Sequence, residues 1–258
     1  MKKLLLATAA TALLTGAASA EEIKLGILFG FTGPLETMSP DMQRGAELAI
    51  SEVNEAGNLL EGSTVRAVTG DTTCIDAAAA TAAAERLITA EGVHGIVGGM
   101  CSGETIAILE NVALPNGVVM VSPSATSPAL STIEDNGLFF RTSPSDARQG
   151  EVMADLILEK DIDTVAVSYT NNDYGKGLAD SFAASFTEKG GTVTVNSAHD
   201  DGKPDYSAEV AALASAGGDA LVVVGYVDQG GSGIVRGSLD TGAFDTFVFP
   251  DGMISNTL

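Results

Sequence analysis

The residues best suited to chemistry fall in two short runs, Gly98-Gly-Met-Cys101-Ser102-Gly-Glu-Thr105 and Ser122-Pro-Ser124-Ala-Thr126. Each follows a brief apolar stretch, residues 95–97 and 118–121, that reads as a buried strand. Each then meets a helix-start signal. Ser102 reads as an N-cap with Glu104 in the first turn, and Pro128 suits the first turn after Thr126. Hydroxyls and unpaired backbone N–H groups at two strand ends suit one small anion. Either run alone reads as an ordinary helix cap. Two side by side, one with a cysteine in it, favour a binding site.

Catalytic signatures are scarce. The two histidines, His94 and His199, have no ligand-spaced partner, so no metal site is expected. The chain contains no G-x-S-x-G elbow, P-loop or dinucleotide fingerprint, and no cofactor is expected. Ser102 has no histidine placed to act as its base, which leaves no catalytic residue to name. Gly225-Tyr-Val-Asp-Gln-Gly-Gly-Ser-Gly233 is rich in glycine but reads as a tight strand-to-helix turn rather than a phosphate cradle. What remains is recognition rather than reaction.

The elements that must position these residues begin after a leader. Met1-Lys2-Lys3, the apolar residues 4–14 and Ala18-Ser19-Ala20 have the form of a secretory signal peptide over residues 1–20, of bacterial style, which points to the periplasm. No later run reaches transmembrane length. The net charge is −21, or −23 once Lys2 and Lys3 leave with the leader, and such a field disfavours nucleic acid and anionic membranes as partners. In an oxidising compartment the only cysteines, Cys74 and Cys101, can pair, because each follows a strand end in adjacent β–α units. Two buried free thiols are the alternative.

From residue 23 onward, short apolar strands alternate with helical patterns. A helix over residues 41–55 puts Met42, Ala46, Ala49, Ile50 and Val53 on one face, and Asp76 caps an Ala-rich helix over residues 77–90. The βαβα order predicts an α/β fold with parallel sheets covered by helices, with ligands beyond the carboxyl ends of the strands. Residues 138–144 read as an exit from a first series, and a second series of the same kind follows. The result is two Rossmann-like lobes with a cleft between them.

Several runs together resemble the periplasmic leucine/isoleucine/valine-binding proteins, the type I solute-binding components of ABC importers. They are Thr32-Gly-Pro34, Gly45-Ala-Glu-Leu-Ala-Ile-Ser-Glu-Val-Asn54, Asp71-Thr-Thr-Cys74, Cys101-Ser102, Ser122-Pro-Ser-Ala-Thr126, Arg141-Thr, Asn172-Asp-Tyr-Gly-Lys-Gly177 and Phe249-Pro-Asp-Gly252. The likeness covers nearly all of the chain after the leader. It implies a type I periplasmic-binding-protein fold with a hinge, lobe 1 over residues 21–144 and 248–258, and lobe 2 over 145–247. It also implies that Ser102, Ser124, Ala125 and Thr126 hold the carboxylate and part of the ammonium of an amino acid. By the same likeness Asp251 balances the ammonium, and Tyr174 and Tyr226 close over the ligand. Met38 stands where family members that bind branched-chain amino acids often carry an aromatic contact. The implied function is capture of an amino acid, branched-chain or a similar zwitterion, by a monomeric carrier that delivers it to a membrane permease. A sensor or a carrier of another small solute (aromatic acid, amide, polyol) on the same fold is the alternative, and a secreted hydrolase is the rival from another class. The family is longer and crosses between its lobes three times. Two crossings are countable here, which implies that the last elements of both lobes lie beyond this sequence.

Overall fold

The computed structural model describes residues 20–59, 62–255 and 258, so the leader expected over residues 1–20 lies, apart from Ala20, outside the described residues. The first series runs β1 (Glu22–Phe29), α1 (Ser39–Ala56), β2 (Thr64–Asp71), α2 (Ala77–Arg86), β3 (Gly95–Gly98), α3 (Ser102–Ile108), α4 (Leu114–Asn116), β4 (Val119–Ser122) and β5 (Phe139–Arg141). The second runs α5 (Asp146–Leu158), β6 (Thr164–Thr170), α6 (Asp173–Glu188), β7 (Thr192–His199), α7 (Ser207–Ala216), β8 (Ala220–Val224), α8 (Ser232–Thr241) and β9 (Phe247–Val248). Two sheets result, in the orders β2-β1-β3-β4-β5 and β7-β6-β8-β9, and every pairing is parallel.

Burial explains the strand compositions. β8 reads Ala-Leu-Val-Val-Val and is buried on both faces, as the centre of a helix-covered parallel sheet requires. On one face of the first sheet, Leu28, Ile96 and Met120 pack with Ala80, Ala84 and Leu87 of the α2 segment and with Ile108 and Leu109 at the end of α3. On the other, Ile27 and Phe29 meet Met100 and the half-buried Met42 and Ala46 of α1. The second sheet has α5 and α6 on one face, through Met153, Ile157, Leu178 and Phe182. Leu213 and Ile234 of α7 and α8 cover the other. Asp76 caps α2 by accepting from the N–H groups of Ala78 (2.9 Å) and Ala79 (3.0 Å).

Three expectations change here. Residues 139–141, read as a connection, form the edge strand β5 in register with β4. The apolar face of α1 is only partly covered: Ala49 and Val53 are exposed, and Ser39 is its one buried residue. Residue 248, expected to open the return to the first lobe, lies in the second sheet. Val248 still pairs with Val222, and Met253 is buried in the core of the second sheet.

Candidate functional site

Each sheet reverses its strand order at one point, between β1 and β3 in the first and between β6 and β8 in the second. In open parallel sheets, ligands lie beyond the carboxyl ends of the strands at such points. The chain leaving β3 carries Met100, Cys101 and Ser102, that leaving β6 carries Asn172 and Tyr174, and that leaving β8 carries Tyr226. Tyr226 packs against core residues of both sheets, so the two switch points face one another.

The first run is organised by its own carboxylate. Glu104 Oε1 accepts from the N–H groups of Met100 (2.7 Å) and Cys101 (3.0 Å), filling the place an external anion was expected to take. Burial pushes the Glu104 carboxyl up, and the hydrogen bonds it accepts work against that. Cys101, rather than Ser102, is therefore the N-cap residue of α3. Ser102 opens the helix, and its Oγ accepts from the N–H groups of Thr126 (3.2 Å) and Ser127 (3.1 Å), tying the two runs together. Its hydroxyl proton is the donor it has left to offer.

The second run is likewise satisfied from within. Ser122 Oγ donates to Gly99 O (2.6 Å) and accepts from Ala125 N (3.0 Å), while Ser124 Oγ donates to Met100 O (2.8 Å). Ala125 is fully buried in the first core, and its carbonyl holds Arg141 Nη1 at 3.2 Å. The backbone N–H groups of residues 124–127 are thus taken up by the Ser122 and Ser102 hydroxyl oxygens, so this strand end offers the cleft side-chain groups rather than the free N–H groups expected from the sequence.

Six of the eight residues singled out for ligand contact surround one cavity of about 60 Å³: Met38, Ser124, Thr126, Tyr174, Tyr226 and Asp251. Ser102 lines an adjoining cavity of about 370 Å³ that also reaches both tyrosines, a volume in the range of small-molecule sites. Ala125 lines neither. The tyrosine rings lie 4.9 Å apart, and Tyr174 donates from its hydroxyl to Asp251 Oδ1 at 2.9 Å. Burial pushes both phenols well up, so each remains a protonated donor. Met38 is 47% exposed at the start of α1, on the rim rather than the floor. For the amino-acid ligand that the sequence resemblance implies, Met38→Trp is expected to re-rank a panel of amino acids by on the order of 1–2 kcal/mol through reshaped apolar contact, measured by competition titration. An unchanged ranking would remove Met38 from the site.

Asp146 joins this group without having been singled out. Its Ser145-Asp146 context reads as an ordinary helix start, and Ser145 does cap α5. The side chain is fully buried beside Thr126, and neither carboxylate oxygen meets a hydrogen-bond partner of good geometry. Burial pushes its carboxyl up to about 7, with Thr126 and Arg141 pulling it down and Asp251 adding to the rise. A carboxyl raised in the folded state holds its proton more tightly than in the unfolded chain. Stability therefore falls as pH rises from about 4 to about 7, and the loss is complete above that. Asp146→Asn should abolish this slope and stabilise the chain by up to about 4 kcal/mol at pH 8, read from urea unfolding across pH. An unchanged slope would place the titration elsewhere. Gln149 also escaped notice; it donates to Asp251 Oδ1 at 2.9 Å.

Cys74 and Cys101 form a disulfide, with Cα atoms 5.5 Å apart, immediately behind Ser102. Among the described residues no helix is long and apolar enough to cross a membrane, and no cluster of three His, Cys, Asp or Glu could hold a metal ion.

This arrangement, two parallel α/β units whose switch points meet across a polar and aromatic cleft, defines a solute-binding fold. The chain belongs to the periplasmic binding protein family, whose sequence model matches residues 22–248. It is 33% identical to Leu/Ile/Val-binding protein homolog 3 of Brucella melitensis, over 98% of this chain and 68% of that one. The leucine-binding protein LivK of Thermotoga maritima superposes with a TM-score of 0.79 at 29% identity, covering 89% of this chain and 63% of the other. The branched-chain amino acid transporter substrate-binding protein LivJ of Streptococcus pneumoniae, solved with isoleucine, gives 0.75 at 31% identity, covering 90% and 64%. The chain thus spans roughly two thirds of the length of these relatives, and the type I periplasmic-binding-protein fold is that of the whole group.

Proposed function

We propose that this chain is the solute-binding part of an ABC importer, working in the periplasm, that captures an amino acid between two closing lobes and presents it to a membrane permease. The observation that carries this reading is the meeting, around one cavity, of first-lobe hydroxyls with the Tyr174–Asp251 pair. The ligand's carboxylate meets the Ser102 and Thr126 hydroxyls, and its ammonium meets Asp251 with Asp146 close behind. A zwitterion neutralises both halves, whereas a simple acid leaves the Asp251 carboxylate without a cation. The rings of Tyr174 and Tyr226 cover the ligand, and closure follows because the closed form binds it better than the open one. Relatives named for leucine, isoleucine and valine binding support an aliphatic side chain. The test is the mass of small molecules released by denaturing protein purified without added ligand. A primary amine with an α-carboxylate is expected, and an aromatic carboxylic acid lacking an amine would contradict the reading.

A further inference from the structure

Beneath the two tyrosines lies a buried polar cluster that the binding site as described does not use. β6 ends at Thr170 and β7 ends at His199, and these two residues are register partners in the second sheet. The imidazole is 1% exposed. Its Nδ1 lies 2.8 Å from Ser168 Oγ and its Nε2 lies 3.2 Å from Thr170 Oγ1. Thr170 in turn donates to the carbonyl of Gln229 (3.3 Å) and accepts from the N–H of Tyr226 (3.4 Å).

One ordering of protons satisfies all four contacts. Because the Thr170 hydroxyl proton goes to Gln229, Thr170 Oγ1 must receive the proton of His199 Nε2. In the neutral ring, which burial favours, Nδ1 is then a lone pair, and Ser168 donates to it. Burial pushes the imidazole down to about 4, even with a hydrogen bond to the Gln229 backbone and the carboxylates of Glu209 and Asp200 working the other way. Tyr206, which meets the ring edge-on, is engaged with the Asp200 carbonyl at 3.0 Å.

The glycine-rich run after β8 is what lets the chain settle on this cluster. A Cβ on Gly225 would overlap Thr170 Oγ1, and one on Gly230 would lie 2.7 Å from the Tyr206 hydroxyl and 2.8 Å from the His199 ring. Both glycines have positive φ, 138° and 90°. The segment Val227–Gly231 forms a wide, kinked turn before α8. From Gln229 the network continues to the second tyrosine. Asn172 Oδ1 accepts from the N–H of Gly175 at the start of α6, which turns its Nδ2 toward Gln229 Oε1 at 3.1 Å. Tyr174 sits between these two residues.

We infer that His199 is a positioning residue for ligand binding, which through Thr170 and the Gln229 loop fixes Tyr226 and Tyr174 in the geometry that closes over the ligand. The inference rests on the proposed role of the two tyrosines as the cover of the site. His199 touches no ligand. It acts by ordering the Thr170 hydroxyl, and Gly225 and Gly230 allow the loop to come close enough to be held.

The experiment compares wild type, His199→Leu and His199→Gln by amide hydrogen exchange over residues 226–231 and by titration with L-leucine. Glutamine can present an N–H near the position of Nε2, whereas leucine fills the space without one. His199→Leu is expected to speed exchange of the loop and weaken leucine binding, each by about tenfold or more. His199→Gln is expected to bring both to within about threefold of wild type, although both variants lose a similar amount in Tm. A residue that merely fills the core would show no such rescue. Loop exchange and affinity unchanged in His199→Leu, or glutamine behaving like leucine, would overturn the inference. If His199→Leu does not fold, Thr170→Val tests the same relay, and unchanged loop exchange in it overturns the inference equally. Should wild type bind none of the twenty amino acids, the proposed function fails while the exchange measurement still decides the role of His199.

Discussion

Asp251→Ala is expected to abolish measurable amino-acid binding while leaving a folded protein. In the proposed complex the ligand's ammonium faces Asp251, and stripping one partner from a desolvated charge pair costs about 2–5 kcal/mol, because the other charge is left uncompensated. The same substitution frees the Tyr174 hydroxyl and the Gln149 amide, both of which donate to Asp251 Oδ1. Tyr174 keeps a contact through the N–H of Gly252 at 3.2 Å, so the stability cost is that of an ordinary hydrogen bond, about 1 kcal/mol. Ser102→Ala should weaken binding less, since a neutral hydroxyl contributes about 0.5–1.5 kcal/mol, although it also strips an acceptor from Thr126 and Ser127. Titration calorimetry beside thermal unfolding separates the two effects. Asp251→Ala binding an amino acid within about threefold of wild type would remove the carboxylate from the ammonium's place.

Reducing the Cys74–Cys101 disulfide is expected to destabilise the chain by about 3 kcal/mol. The bond spans 27 residues, and a loop of that size, closed in the unfolded chain, accounts for an effect of this magnitude in the chain-entropy model. It also fixes Thr73 and Cys74, non-glycine residues at φ 57° and 68°, a conformation the surroundings must impose. Because Cys101 is the N-cap residue of α3, reduction should also loosen the backbone on which Ser102 sits. Urea unfolding with and without reductant, with thiols counted by alkylation, measures the effect. Equal midpoints for fully oxidised and fully alkylated protein would sink the prediction.

Much of the architecture was legible because it rests on local pattern. Continuous apolar runs such as residues 220–224 can only be central strands, and Asp76 announces its helix by residue type alone. The two runs at the carboxyl ends of β3 and β4 were visible for the same reason. Their hydrogen bonding was legible only in part: Glu104 closes locally on the N–H groups of Met100 and Cys101, whereas Ser102 Oγ reaches across to Thr126 and Ser127, partners that no spacing reveals. β5 was missed because three residues carry too little pattern to declare a strand, and its pairing with β4 is a long-range fact. Asp146 was missed because a buried, unpaired carboxylate and a solvated helix-start aspartate look identical in sequence. The exposed half of α1 marks a limit of periodicity, which identifies an apolar face without identifying what covers it.

The central claim is that the site is built for a zwitterion, and one calorimetric comparison tests it most directly. L-leucine, its amide and 4-methylpentanoate, the same skeleton without the ammonium, are titrated into the protein at pH 7.5 under identical conditions. L-leucine is expected to bind, with the amide and the deaminated acid each weaker by about a hundredfold or more, as expected for loss of one charged contact. Equal affinity for L-leucine and 4-methylpentanoate would contradict the account and make the protein a carrier of organic acids.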